Sequence, residues 1–241
     1  MSRIIWPDNS PDSLYNICLE YCVGHVGKAI SDNHRKDGLN SGLMLSHIVN
    51  QQLFLACVKA GVVTTKRVLN IFQGQNQTKL KRLNLSTVAD LTDEDLDSLL
   101  LSHCPTELHL SSVHLTPQSL QVINRHGRSL VLLQVTNAAQ IVLGGSKGCA
   151  ASANSCQRLQ CSNLRFLTLN RLMSESTKLL DVSLSNMSQL TLLDLSNSDI
   201  DVSEMECLRL LPCLQVLNLH SVGLRDLASA FKTIAEVKSL R

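Results

Sequence analysis

LTLLDLSNSDIDVSEMECLRLLPCLQVLNL, residues 190–219, begins on the pattern L-x-x-L-x-L and ends on the same pattern one interval later. A motif that returns at a fixed step of a few tens of residues marks a stacked array, because each unit leaves an apolar face for its neighbour to cover. The same pattern stands at LKRLNL (80–85), LVLLQV (130–135) and LRFLTL (164–169), with a degenerate copy, PTELHL, at 105–110 and a bare start at Leu240. Openings therefore fall at 80, 105, 130, 164, 190, 214 and 240, in steps of 25, 25, 34, 26, 24 and 26 residues. The one long step contains LGGSKGCAASANS, a Gly/Ser/Ala stretch with nothing to bury, so residues 142–161 are expected to be a poorly ordered loop insertion.

A step near 25 with leucines at these places is that of a leucine-rich repeat. The predicted fold is α/β. Residues 78–241 should form a leucine-rich-repeat solenoid, with a curved parallel sheet of about six short strands, a helical convex side and a truncated seventh repeat. Leucines at positions 1, 4 and 6 of each repeat, counted from its opening leucine, point inward, and the residues between them point out along the concave sheet. Segments such as DEDLDSLLLSH (93–103) and PQSLQVINRHG (117–127) carry leucines at helical spacing and close the convex side. The ninth position, where Asn or Cys would bond the turn, instead holds Val88, Val113, Ala138, Leu172, Ser198 and Val222, which predicts irregular repeats. Position 3 becomes apolar from the third repeat on, at Leu132, Phe166, Leu192 and Val216. These four are either a protein-binding stripe on the concave face or residues half-buried between neighbouring strands. His109 and His220 have no carboxylate or cysteine at catalytic spacing and are read as solvated surface.

Composition narrows the function classes. Apolar residues make up 44% of 241, so the chain folds. A net charge of +2, with scattered lysines and arginines, argues against nucleic acid as a partner. LFLACVKAGVV (53–63) carries a lysine and is too short for a membrane span, so a soluble chain without membrane contact is expected. Nine cysteines, an odd count, without an apolar leader at MSRIIWPDNS point to reduced thiols in the cytoplasm or nucleus. Cys149, Cys156 and Cys161 lack zinc spacing and read as free thiols in a loop, and no metal or other cofactor is expected. Neither G-x-S-x-G, nor a Gly-rich phosphate loop, nor paired histidines occur, so the chain is not expected to be an enzyme.

In front of the repeats lies a helical region, residues 10–72, after a flexible arm at 1–9. Ser10 and Pro11 suit a helix start, and Leu14, Ile17, Cys18, Tyr21 and Cys22 then fall on one face. This helix should fade at Gly24 to Gly27, with a loop over 31–42, a second helix from about Leu43 to Ala60 and a third over Thr65 to Phe72. Such helices can simply cap the solenoid. The four-residue steps from Leu14 to Cys18 to Cys22 also suit a helix that inserts into a partner's groove.

Ser13-Leu14-x-x-x-Cys18-x-x-x-Cys22 resembles the elongin-C-binding BC box, with Cys22 where an aliphatic residue is usual. Leu45-Ser46-x-x-Val49-x-x-x-Leu53 resembles a cullin-two box, with Ser46 in place of the usual proline. Together they look like a VHL box. Followed by Asn70-Ile71-Phe72 and irregular leucine-rich repeats, they resemble the Zyg-eleven/Zer-one family, and its Zer-one branch more closely. The resemblance implies a substrate-receptor or adaptor subunit of a cullin-two–elongin B/C RING ubiquitin ligase, recruiting protein substrates for degradation. It implies that Ser13, Leu14, Ile17, Cys18 and Cys22 bind elongin C, and that Leu45, Ser46, Val49 and Leu53 touch cullin-two. Family members continue into an armadillo-like domain that reads the degron, whereas this chain stops at KSLR and is read as truncated before it. The alternative is a leucine-rich-repeat interaction scaffold without a cullin partner.

Overall fold

The computed structural model describes residues 14–31, 46–72, 79–111, 117–136, 159–171, 184, 186–200, 202–224 and 226–240. They fall into two compact units, Met1–Thr78 and Lys79–Arg241. Most of the anticipated loop at 142–161, and the arm at 1–9, lie outside the described residues.

The first unit holds α1 (Leu14–Ser31), α2 (His47–Lys59) and α3 (Lys66–Phe72). Contrary to the expected fade at Gly24 to Gly27, α1 runs through both glycines to Ser31. Each glycine costs a helix about 1 kcal/mol against alanine. Val26, set between them and 2% exposed, offsets this by burying its side chain against the rest of the unit. Ser46 caps α2: its Oγ accepts the Val49 N–H at 3.4 Å. At the other end Gly61 takes a left-handed φ of 69°, while Gly61 N–H bonds Val58 O at 3.0 Å and Val62 N–H bonds Cys57 O at 2.9 Å. That pair of bonds is the Schellman closure, which needs a residue without a Cβ penalty at this place. The core of the unit joins Leu53, Phe54 and Cys57 of α2 to Val68, Leu69 and Phe72 of α3. The rings of Phe54 and Phe72 meet edge to face, 5.2 Å between centroids.

The second unit is a parallel six-stranded sheet in sequence order. Its strands are β1 (Arg82–Asn84), β2 (Glu107–Ser111), β3 (Leu132–Thr136), β4 (Phe166–Leu169), β5 (Leu192–Asp194) and β6 (Val216–Asn218). Equal repeat positions are paired throughout: Arg82, Glu107, Leu132, Phe166, Leu192 and Val216 form one continuous row. The long step between β3 and β4 therefore leaves the register untouched. A one-residue slip would turn every buried leucine to the open face, so burial pins the pairing. Leu80, Leu83, Leu85, Leu108, Leu110, Leu164, Leu190, Leu193 and Leu214 show no exposed surface.

Two backbone devices recur. The carbonyl at position 2 accepts two N–H groups from the next repeat, as when Lys81 O takes Thr106 N–H at 2.8 Å and Glu107 N–H at 3.0 Å. Val131, Arg165 and Thr191 carbonyls do the same in later repeats. A tight turn precedes each opening leucine from Leu130 on, its N–H bonding the carbonyl three residues back at Gly127, Cys161, Met187, Leu211 and Val237.

Among the described residues the side opposite the open face carries both α-helix and 3-10 helix, in keeping with the expected helical convex side. α4 (Asp93–His103) and α5 (Pro117–His126) are regular, and α6 (Leu227–Ala235) follows β6. In the fifth repeat the segment Val202–Leu210 is a 3-10 helix. Met205, Cys207 and Leu208 are buried within it, and Leu211 just beyond its end. By contrast α4 buries Leu96, Leu99, Leu100 and His103 at i, i+3, i+4, i+7, and starts on a capping box between Thr92 and Asp95.

The loop reading of 142–161 is corrected at its far end. Leu159 is 7% exposed and Cys161 1%, so the chain has rejoined the core before Leu164 opens the next repeat. A Cβ at Gly127 would come within 2.6 Å of the Cys161 Sγ, so the missing side chain of one repeat makes room for the thiol of the next.

Candidate interaction surfaces

The open face of the sheet carries the position-3 row. Arg82 and Glu107 occupy its first two places as an ion pair, Nε to Oε1 at 3.1 Å. Leu132, Phe166, Leu192 and Val216 complete it. These four differ in exposure. Leu132 and Leu192 are half-buried between their neighbours, while Phe166 is 38% and Val216 51% exposed.

The adjacent row is Asn84, His109, Gln134, Thr168, Asp194 and Asn218. Three of these residues serve the backbone. Asn84 Oδ1 accepts the Ser86 N–H at 3.1 Å, Asp194 Oδ1 the Ser196 N–H at 2.9 Å, and Asn218 Oδ1 the His220 N–H at 3.0 Å. These are Asx turns at the fifth position of the repeat, and at the ninth position Ser198 Oγ donates to Ser196 O at 3.4 Å. The signal in the sequence is the Asn or Asp one residue before the last leucine of the pattern, at 84, 194 and 218. Beyond the turn, Arg171, Asn197 and Ser221 all adopt left-handed φ, at 59°, 58° and 55°. His220 is exposed as expected, and His109 is half-buried.

His103 is a residue that periodicity assigned to α4 without a role. It is 2% exposed, and its Nδ1 accepts the Leu80 N–H at 3.3 Å. That bond places the imidazole proton on Nε2, which has no partner among the described residues. Burial pushes its pKa from 6.5 down to about 4, so the ring is neutral at pH 7. It ties the first repeat's opening leucine to the helix that follows.

On α1 the proposed docking stripe faces outward. Ile17 is 53% and Tyr21 69% exposed, and Cys18 and Cys22 are exposed free thiols. Tyr21 meets the His25 ring edge-on at 4.4 Å, one turn further along. Leu14 is the first residue of α1, while Ser13 and Leu45 lie outside the described residues. The anticipated cullin-two contacts divide. Ser46 is the N-cap of α2 and Val49 is 40% exposed, but Leu53 is 5% exposed. Leu53 belongs to the buried stripe of α2 with Asn50, Phe54 and Cys57, so it serves the unit's own core and not a partner. Ile48, at 61% exposure, is the outward apolar residue that the box pattern omits.

Among the described residues no three His, Cys, Asp or Glu side chains gather in a way that could hold a metal ion. No described helix is long and apolar enough to cross a membrane.

The repeat period, the in-register parallel strands and the buried leucine rows make the second unit a leucine-rich-repeat solenoid. No family model matches the chain, and no curated protein matches it by sequence. Two crystal structures of Listeria monocytogenes internalins are similar to it. Internalin C2 is 18% identical over 68% of this chain and 59% of that one, with a TM-score of 0.41. A second internalin is 19% identical over 72% of this chain and 55% of that one, with a TM-score of 0.36. The chain thus spans less than two thirds of the length of either.

Proposed function

We propose that this chain is an adaptor of a cullin-two–elongin B/C RING ubiquitin ligase, in which α1 docks elongin C and the open face of the sheet receives protein substrates. The observation that carries the reading is the outward stripe of α1, where Ile17, Cys18, Tyr21 and Cys22 are all exposed. Each apolar side chain buried in a partner's groove contributes about 1.5–3 kcal/mol, so two or three suffice to anchor a helix. The cullin-two contact is carried in this reading by Ser46 and Val49, without Leu53. Ubiquitin transfer belongs to the RING subunit and its charged partner enzyme, and the chain itself is not a catalyst. Such a subunit works in the cytoplasm or nucleus, where its thiols stay reduced.

The test is co-purification of elongin B/C with the full chain, beside Ile17→Asp and Cys18→Phe variants. Capture by the parent chain that both variants lose is the expected result. Equal capture by all three chains, or none by any, removes the elongin reading. A second reading, an interaction scaffold without a cullin partner, is favoured by one observation: Leu53 is buried and Ser46 is spent on a helix cap. It predicts partners lost on Phe166→Asp and unaffected by Cys18→Phe.

A further inference from the structure

We propose that the open face of the sheet seats an amphipathic helix of a partner protein, laid across the strands. Its apolar residues at i, i+3, i+7 and i+10 rest on Leu132, Phe166, Leu192 and Val216, and a basic residue beside them meets Asp194. The inference rests on the reading that this face receives protein substrates, and narrows the segment it takes. The four apolar residues stand side by side, because Leu132 pairs with Phe166, Phe166 with Leu192 and Leu192 with Val216 in adjacent strands. Paired strands lie about 4.8 Å apart, so Phe166, Leu192 and Val216 fall about 4.8, 9.6 and 14.4 Å from Leu132 along the row. A helix rises about 1.5 Å per residue, which puts i+3, i+7 and i+10 about 4.5, 10.5 and 15 Å from i, all on one side. Each comes within about 1 Å of a rung. A strand on the same path shows one side only every 6.7 Å or about that, which falls between rungs.

Relief and charge sharpen the fit. Leu132 and Leu192 are half-buried, whereas Phe166 and Val216 stand out, so the row offers two apolar ridges with a recess at Leu192 between them. A side chain of the helix at i+7 fills that recess as a ridge fills a groove. The Arg82–Glu107 ion pair ends the apolar row on the side of β1. In the neighbouring row Asp194 is the one carboxylate, and it shares β5 with Leu192. One of its oxygens accepts the Ser196 N–H at 2.9 Å, and among the described residues no cation pairs with it. A carboxylate accepts several hydrogen bonds, so it can also take a lysine or arginine from the flank of the helix. A residue at i+6 lies about 9 Å along the helix, close to the level of Asp194, and i+4 takes that place when the helix runs the other way.

The experiment measures binding of three synthetic peptides to the full chain by fluorescence anisotropy. The first is a helix-forming alanine/glutamine peptide with leucines at i, i+3, i+7 and i+10 and lysines at i+4 and i+6. The second carries glutamates in place of the lysines. The third is a strand-forming peptide of the first one's charge, with valine at every second place. The lysine helix should bind, and Phe166→Asp and Val216→Asp should each weaken it at least about tenfold. The glutamate helix should bind the parent chain about two- to fivefold more weakly, and Asp194→Lys should reverse that preference. The reversal at Asp194 reads the same contact if Val216→Asp folds poorly. No binding of the lysine helix, or binding that none of these substitutions alters, overturns the seat. A strand peptide that binds more tightly and is lost on Phe166→Asp overturns the helix while leaving the open face as the receiving surface. Self-association of the chain that Phe166→Asp abolishes gives the face to a second copy and also overturns it. Capture of elongin B/C by α1 is independent of all these outcomes, so the adaptor reading stands or falls separately.

Discussion

At the residue scale, His103 couples the solenoid to pH. Its folded pKa of about 4 lies below the ordinary 6.5, so on acidification the unfolded chain takes up the proton first. The neutral ring therefore stabilises the fold fully above pH 6.5, and that contribution is lost as pH falls from 6.5 towards 4. The shift corresponds to at most about 3 kcal/mol. Urea unfolding between pH 7 and 4 should show the decline, and His103→Gln should flatten it. A parent chain equally stable across that window would remove this role for His103. Gly127 makes a second prediction. Gly127→Ala forces a Cβ onto the Cys161 Sγ, and overpacking of this kind costs about 1–3 kcal/mol. Combined with Cys161→Ala, the penalty at 127 should largely vanish, a coupling that a double-mutant cycle measures. The clash depends on two residues 34 apart in sequence, and no local pattern discloses it.

At the scale of elements, capping and turn geometry decide which segments become regular. Thr92 bonds the Asp95 N–H, and Asp95 returns a bond to the Thr92 N–H at 3.0 Å. Thr92→Ala should cost about 1 kcal/mol, read as a lower denaturation midpoint. In the sequence α4 was legible from the helical spacing of its leucines over residues 93–103. The left-handed turn at position 8 was not. Ser221 sits there at a φ of 55°, a conformation glycine adopts without cost, so Ser221→Gly should raise stability by about 0.5–1 kcal/mol. A fall in the midpoint for Ser221→Gly would show that the Ser221 side chain is needed. The 3-10 segment at Val202–Leu210 shows the same limit on sequence reading. Apolar residues spaced by three fit an α-helix and a 3-10 helix alike until neighbours choose between them.

At the scale of the whole solenoid, buried and exposed side chains lie on opposite faces of the same strands. Leu167 is 1% exposed while its neighbour Phe166 is 38% exposed. Leu167→Ala should cost about 2–5 kcal/mol, whereas Phe166→Asp should change stability by less than about 0.5 kcal/mol. Thermal unfolding of the two variants checks this directly. The same contrast operates in the first unit. Leu53→Ala should unfold it and Val49→Ala should not, because Leu53 fills the core and Val49 lies outside it.

The sequence by itself determined the repeat, the strands, their order and the rows of leucines that bury, because a period of about 25 residues admits one way to stack strands in register. It also determined that Ile17, Cys18, Tyr21 and Cys22 lie along one side of α1, since helical spacing is a local property. Only the tertiary structure decided that this side faces water and that Leu53 faces inward. It alone brought Cys161 beneath Gly127 and sealed His103 against Leu80. Burial is a relation between segments distant in the chain, and a periodic pattern fixes which side chains share a face without saying what that face meets.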